Sequence, residues 1–216
     1  MSGITGKTRL ALSARFVLGF DVRIAPSMLA RNYEASSGPK HSYAERILCP
    51  LVLDPQVWPS IFDQDEAVQN VSGKAIRNGY NLLFDLKGDA FVRSGIENEM
   101  SAAVAFDIDA TTYQSLRITF GEGWNKLGGT SQDLLEANWV LMGFDVIDPR
   151  TQLSGLFGFD FSPQEQARIE NATRTAISVF GLLTQLENAR AVSTLLDSLI
   201  PEHSPFCPCG VWLAVK

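Results

Sequence analysis

Histidine and cysteine are scarce in this chain, two of the first and three of the second among 216 residues. That scarcity removes most of the raw material from which catalytic and metal sites are assembled. His41 and His203 lie far apart in sequence, neither inside a recognisable site motif, so the side chain that most readily moves protons near neutral pH has little to work with. An odd number of cysteines argues against a secreted disulfide framework. Runs of Lys or Arg are missing too. With 18 basic against 24 acidic residues the formal charge is −6, which disfavours nucleic acid and anionic membrane surfaces as partners and leaves a basic protein partner open.

No apolar stretch approaches the roughly 20 residues needed to span a bilayer. The short apolar run near the start is interrupted by Arg15 and followed by Asp21 and Arg23, unlike a targeting signal. The expected compartment is a reducing cytoplasm. Familiar site motifs fail as well. Gly6-Lys7-Thr8 resembles the tail of a phosphate-binding loop, but Met1 stands where its first glycine is required. Gly121-Glu122-Gly123 has Lys126 in place of the third glycine of a dinucleotide fingerprint, and no Gly-x-Ser-x-Gly elbow nominates a serine nucleophile.

What is present is a 45% apolar fraction with 13 phenylalanines, enough for a core without staples. The expected architecture is a single α+β domain over residues 1–216, a mostly antiparallel sheet with packed helices, any subdivision falling in the glycine-dense stretch near 121–130. Strands are expected at 16–24, 81–86, 104–108, 115–120 and 139–146, with a closing strand in which Val211, Leu213 and Val215 alternate against Trp212 and Ala214. The apolar run 47–53, bounded by prolines, suits a buried strand or an extended edge piece. Helices are expected at 27–33, 63–78 and 133–138. Ser162, Pro163 and Glu165 form a capping box opening a helix whose stripe, Ile169, Ala172, Ala176, Ile177 and Phe180, runs to Gly181; Thr184 with Glu187 opens another that Pro201 stops. Gly19-Phe20-Asp21-Val22 recurs as Gly143-Phe144-Asp145-Val146. No flanking residues extend the match, which favours two strands of similar composition over a duplicated half-domain.

Chemistry could reside in paired carboxylates, Asp107 with Asp109 and Asp145 with Asp148, which can bind a divalent cation or divide into acid and base, although such pairs are usually strand-end and turn residues. Cys207-Pro208-Cys209 follows His203 closely. Only Cys49 could complete a four-ligand zinc set, so two ordinary strand residues are favoured over a metal or redox site. Phe157, Phe159 and Phe161 would face one side of an extended segment, as core or as a binding surface.

Gly143-Phe144-Asp145-Val146, then Ser154-Gly155-Leu156, a capped helix and His203-Ser204-Pro205-Phe206 follow one another over about the last 80 residues. This order resembles a group of uncharacterised bacterial proteins carrying Gly-aromatic-Asp-Val, Ser-Gly-Leu and His-x-Pro-Phe in that sequence. The resemblance implies kinship and no mechanism. The functional expectation is a non-enzymatic cytoplasmic binding protein, most concretely an immunity-type inhibitor of a basic toxin or effector. Its candidate binding residues are Asp145, Asp148, Phe157, Phe159, His203 and Phe206, with no catalytic residue, metal or cofactor nominated. The alternatives are a carboxylate-based enzyme, with or without a divalent metal, and a scaffold subunit of a larger assembly.

Overall fold

The computed structural model describes residues 15–35, 47–61, 82–83, 100–120, 129–173 and 176–215. Strands β1 (Arg15–Ile24), β2 (Ser101–Asp109), β3 (Trp139–Ile147) and β4 (Cys207–Ala214) form one sheet in the order β1-β2-β4-β3, every neighbour antiparallel. Helices α1 (Pro26–Ala35), α2 (Ala110–Phe120), α3 (Ser131–Glu136), α4 (Pro163–Thr173) and α5 (Leu186–Leu199) pack around it, and a 3-10 turn spans Pro201–His203. The architecture is α+β.

Strand alternation divides the core. Val104, Phe106 and Ile108 of β2 with Cys207, Cys209 and Val211 of β4 pack against Leu51, Val52, Leu53 and Trp58. On the opposite face Ala105 and Trp212 meet Leu134 of α3, while α5 buries Leu186, Ala189, Val192 and Leu196 against Phe144 and Val146. Because both faces are covered, the central strands carry almost no solvent-facing positions. This leaves their few polar side chains to be satisfied internally.

Several local expectations change. Residues 115–120, expected as a strand, lie in α2. Asp109 Oδ1 accepts the N–H groups of Thr111 and Thr112 at 2.9 and 3.0 Å, and this side-chain cap starts a helix despite the β-branched residues that follow. Residues 47–53 are irregular, and all but the exposed Leu48 are buried. The Ser162–Glu165 capping box forms, with Ser162 Oγ 2.7 Å from Glu165 Oε2, yet α4 ends at Thr173. Ile177 instead bridges to Leu183, and Leu183 exchanges two 2.8 Å backbone bonds with Phe144; Thr184 then lies in a bend, and α5 begins only at Leu186. The expected helix 63–78 lies outside the described residues, as do 121–128 and all of 81–86 except Leu82 and Leu83.

The tetrapeptide echo is the largest correction, because the two copies occupy equivalent positions. β1 and β3 are the two outer strands, and each carries its bulge at the same place, between Val17 and Gly19 and between Leu141 and Gly143. Phe20 pairs with Leu83 as Phe144 pairs with Leu183. Asp21 Oδ1 accepts the Val22 N–H at 2.8 Å and Ser60 Oγ at 2.9 Å; Asp145 Oδ1 accepts the Val146 N–H at 2.8 Å and Ser154 Oγ at 2.8 Å. The match continues into Asp54-Pro55 and Asp148-Pro149, whose carboxylates each accept the N–H two residues on, from Gln56 and Arg150, at 2.8 Å. In β2 and β4, Phe106 lies opposite Gly19 as Val211 lies opposite Gly143, and Phe106 and Val211 lie opposite each other. The sheet is thus two copies of one two-stranded unit, related by a pseudo-two-fold axis passing between Phe106 and Val211.

Candidate functional site

The carboxylates singled out in sequence separate by environment. Asp107, Asp145 and Asp148 are all fully buried; the first two lie on opposite faces of the sheet, while Asp148, just past the end of β3, lies beneath a partly exposed cluster. Its turn, Asp148-Pro149-Arg150-Thr151, wraps the carboxylate. Oδ1 accepts the Arg150 N–H at 2.8 Å and Arg150 Nε at 3.3 Å, and Oδ2 accepts Thr151 Oγ1 at 3.0 Å. His203 Nδ1 stands 2.7 Å from the same Oδ2. Burial alone would raise the Asp148 carboxyl, but the hydrogen bonds from Arg150, His203 and Thr151 outweigh it and hold the group below the usual carboxylate range.

Aromatic rings complete the cluster. Phe159 meets the His203 ring edge-on, centroids 4.8 Å apart, and meets Phe206 at 5.8 Å, with Phe161 at 6.4 Å on its other side. Phe206 is fixed through its backbone, whose N–H donates to Asp197 Oδ1 and whose carbonyl accepts from Ser193 Oγ, each at 2.7 Å. The His203 side chain is 29% exposed, Arg150 reaches across to the Glu202 carbonyl at 3.0 Å, and the side chains of Asp160 and Glu202 are exposed at the border. A cleft of about 430 Å³ on the other side of Phe206 is lined by Arg15, Asp109, Thr112, Arg190 and Cys207.

Four of the six candidate residues therefore converge: Asp148, His203, Phe159 and Phe206. Phe157 does not join them. The chain turns at 154–158, where Gly158 N–H bonds the Ser154 carbonyl at 2.7 Å, so Phe157 diverges from Phe159 and Phe161 and packs toward Gly181. Asp145 is also elsewhere, beneath Leu53, whose N–H reaches its Oδ2 at 3.3 Å. Sequence reasoning missed Arg150, Thr151, Asp160 and Glu202 as partners of the cluster. The Asp-Pro-x-Thr turn was the available signal, since a carboxylate ahead of a turn readily accepts the following N–H groups.

Asp145 lacks a cation that its counterpart has. Asp21 Oδ2 accepts Arg23 Nε at 2.8 Å, whereas the residue matching Arg23 in the second unit is Ile147. Burial pushes the Asp145 carboxyl up to about 7, against hydrogen bonds from Ser154, Val146 and Leu53 that favour the charged form. A raised carboxyl contributes stability that is fully present below its unfolded value of 3.8 and is lost as pH rises through about 7. Relative to Asp145→Asn, the native protein is expected to lose on the order of 4 kcal/mol between pH 4 and pH 8. Urea midpoints of the two proteins across that range would check this, and parallel pH profiles would refute it.

The thiols offer no nucleophile. All three are free and buried; burial pushes Cys49 up to about 11 and raises Cys207 and Cys209 further. Among the described residues no group of three or more His, Cys, Asp or Glu side chains could hold a metal ion, and no helix is long and apolar enough to cross a membrane. Asp148 and His203 are arranged like the acid and base of a hydrolytic triad. Among the described residues, however, no hydroxyl or thiol is bonded to the second ring nitrogen. No protein-family model, no curated protein and no solved structure matches this chain.

Proposed function

We propose that this chain is a non-enzymatic binding protein that captures a basic protein partner, in the manner of an immunity-type inhibitor. The capturing face is formed by Phe159, Phe161 and His203, with Asp160 and Glu202 at its rim. One observation carries the reading. The carboxylates available for chemistry are consumed by backbone N–H groups and internal hydroxyls, while the partly exposed cluster combines aromatic rings with bordering acids. Rings of this kind concentrate binding energy, their quadrupoles attract Arg and Lys, and a net charge of −6 steers a basic partner inward. Three buried, free thiols suit a reducing cytoplasm.

Affinity capture from the native host, followed by titration with the purified partner, tests this. A basic protein should bind, and rising salt should weaken the complex. Phe159→Ala should cost about 2 kcal/mol of affinity, roughly 30-fold, and Asp160→Lys with Glu202→Lys should slow association. An acidic partner, or a basic one indifferent to all three substitutions, would overturn the proposal. So would a hydrolytic activity abolished by His203→Ala.

A further inference from the structure

The cleft on the far side of Phe206 holds hydrogen-bond donors that the fold leaves unused. Arg15 lines it with a side chain that is only 2% exposed. Its Nε donates to Asp107 Oδ1 at 2.7 Å, and its Nη2 donates to the Asp107 carbonyl at 3.0 Å and the Pro208 carbonyl at 2.8 Å. All three acceptors belong to β2 and β4, so those nitrogens face the sheet and Nη1 is left for the cleft. Among the described residues Nη1 has no acceptor. Buried donors in folded proteins are paired almost without exception, by protein, water or ligand. Two unused N–H hydrogens on a buried guanidinium at a cleft wall therefore call for an acceptor that enters the cleft.

A second guanidinium stands at the same cleft. Arg190 is exposed on α5, and its side chain has no hydrogen-bond or ion-pair partner among the described residues. Its position is fixed, because Ala189 and Val192 beside it are buried and Ser193 Oγ holds the Phe206 carbonyl of the cleft wall at 2.7 Å. A water would satisfy Arg15 Nη1 alone, whereas an oxyanion also meets the charge of Arg190. Asp109 lines the cleft too, but its oxygens already accept the N–H groups of Thr111 and Thr112 and the Thr112 hydroxyl, which also closes the start of α2 to a ligand. Ala110, Phe206 and Pro208 add apolar wall. The volume of about 430 Å³ falls in the lower part of the roughly 300–1,000 Å³ range of small-ligand sites.

We propose that this cleft binds a small organic anion, a carboxylate or a phosphate whose oxygens bridge Arg190 and Arg15 Nη1 and whose apolar body rests against Phe206, Ala110 and Pro208. Neither arginine belongs to the Asp148–His203 cluster, so the site is separate from the capturing face on the other side of Phe206.

Isothermal titration calorimetry of the full chain with benzoate and with phenyl phosphate tests this, with benzamide as the neutral counterpart. At least one anion should bind roughly 10-fold or more tighter than benzamide, and the tighter of the two identifies the preferred head group. Arg190→Ala should weaken that anion by roughly 10- to 100-fold, the worth of a charge-assisted hydrogen bond, while Arg168→Ala, exposed on α4, should leave it unchanged. Arg15 cannot be truncated without stranding Asp107, so its part is read in the native chain: the Nε–H NMR signals of Arg15 and Arg190 should both shift as the anion is added. Failure of both anions to bind at millimolar concentration would overturn the proposal, and so would benzamide binding equally well. An Arg190→Ala chain no weaker than Arg168→Ala, or an Arg15 signal that stays still while that of Arg190 moves, would overturn it too.

Discussion

Asp107→Ala is expected to leave no cooperatively folded protein at 25 °C. The Asp107 carboxylate is fully buried and accepts four hydrogen bonds: Arg15 Nε at 2.7 Å and the Gly210 N–H at 3.1 Å on Oδ1, Ser131 Oγ at 2.5 Å and Trp212 Nε1 at 2.7 Å on Oδ2. Alanine removes all four acceptors and leaves a guanidinium, 2% exposed, without its counter-charge. Breaking one side of a buried ion pair costs about 3–5 kcal/mol, and each other buried donor left unsatisfied about 1–3 kcal/mol. Native stability is itself only about 5–15 kcal/mol. Near-UV circular dichroism and urea unfolding check the expectation. Asp107→Asn, which retains one acceptor oxygen, should fall between the two, and Arg15→Met with Asp107→Leu should recover part of the loss by removing both charges together. If Asp107→Ala unfolds within about 1 kcal/mol of the native protein, solvent must reach the donors and the hub carries no such weight.

The same carboxylate shows how the two units became unequal. The register that sets Phe106 against Gly19 and Val211 against Gly143 makes Asp107 the counterpart of Trp212, and Arg15 the counterpart of Trp139. One unit thus holds a charged pair where the other holds two indoles. Trp212 Nε1 bonds Asp107 Oδ2 directly, so the two counterparts meet across the pseudo-two-fold axis. Gly210 lies opposite Asp107 in the ladder, and a methyl group there would collide with the carboxylate. Such a junction fixes the pairing of β2 with β4 by chemistry as well as by shape.

Much of the local structure was legible in the sequence. β1, β3 and β4 announce themselves as apolar runs of strand length, and Ser162 with Glu165 caps α4 as its spacing requires. α2 departs from the strand expected at 115–120 because β-branched residues at 111, 112, 118 and 119 favour strand on average, while the decisive interaction is one Asp109 side chain bonding two N–H groups ahead of it. The duplication was hidden by an insertion. The offset between the units is 124 residues at Asp21 and Asp145 but 94 at Asp54 and Asp148, so no fixed offset joins the two matches. In the site, residue type nominated Asp148, His203, Phe159 and Phe206 together. It did not separate Asp148, whose Oδ2 meets His203, from Asp145 three residues earlier, whose Oδ2 meets the Leu53 N–H, because both are fully buried and only the tertiary fold decides which partner each finds. The Arg15–Asp107 pair, 92 positions apart, depends on strand register and left no local trace.

Gly143→Ala carries the second large expected effect, since two independent constraints act on that residue. Its φ of +145° is rarely adopted by residues with a side chain, and a Cβ there would lie 2.8 Å from both Leu182 Cβ and the Leu183 carbonyl oxygen. Neither neighbour can swing away. Leu183 is held to Phe144 by two 2.8 Å backbone bonds, and Leu182 is fully buried. Relief therefore requires lifting the 182–183 segment off β3, which would strip cover from Phe144 and Val146 in the core beneath α5. Overpacking costs about 1–3 kcal/mol and strained backbone a further 1–3, so a loss of about 3–5 kcal/mol in urea is expected. Gly129→Ala is the matched control. Its added Cβ would meet Val17 Cγ2 at 3.6 Å, an ordinary contact, and its φ lies outside the range that demands glycine. That variant should be neutral, or more stable by about 0.4–1 kcal/mol through the unfolded chain's lower entropy. If Gly143→Ala proves as mild as Gly129→Ala, the bulge is compliant. The close approach of the 182–183 segment would then not be what aligns the second unit on the pattern of the first.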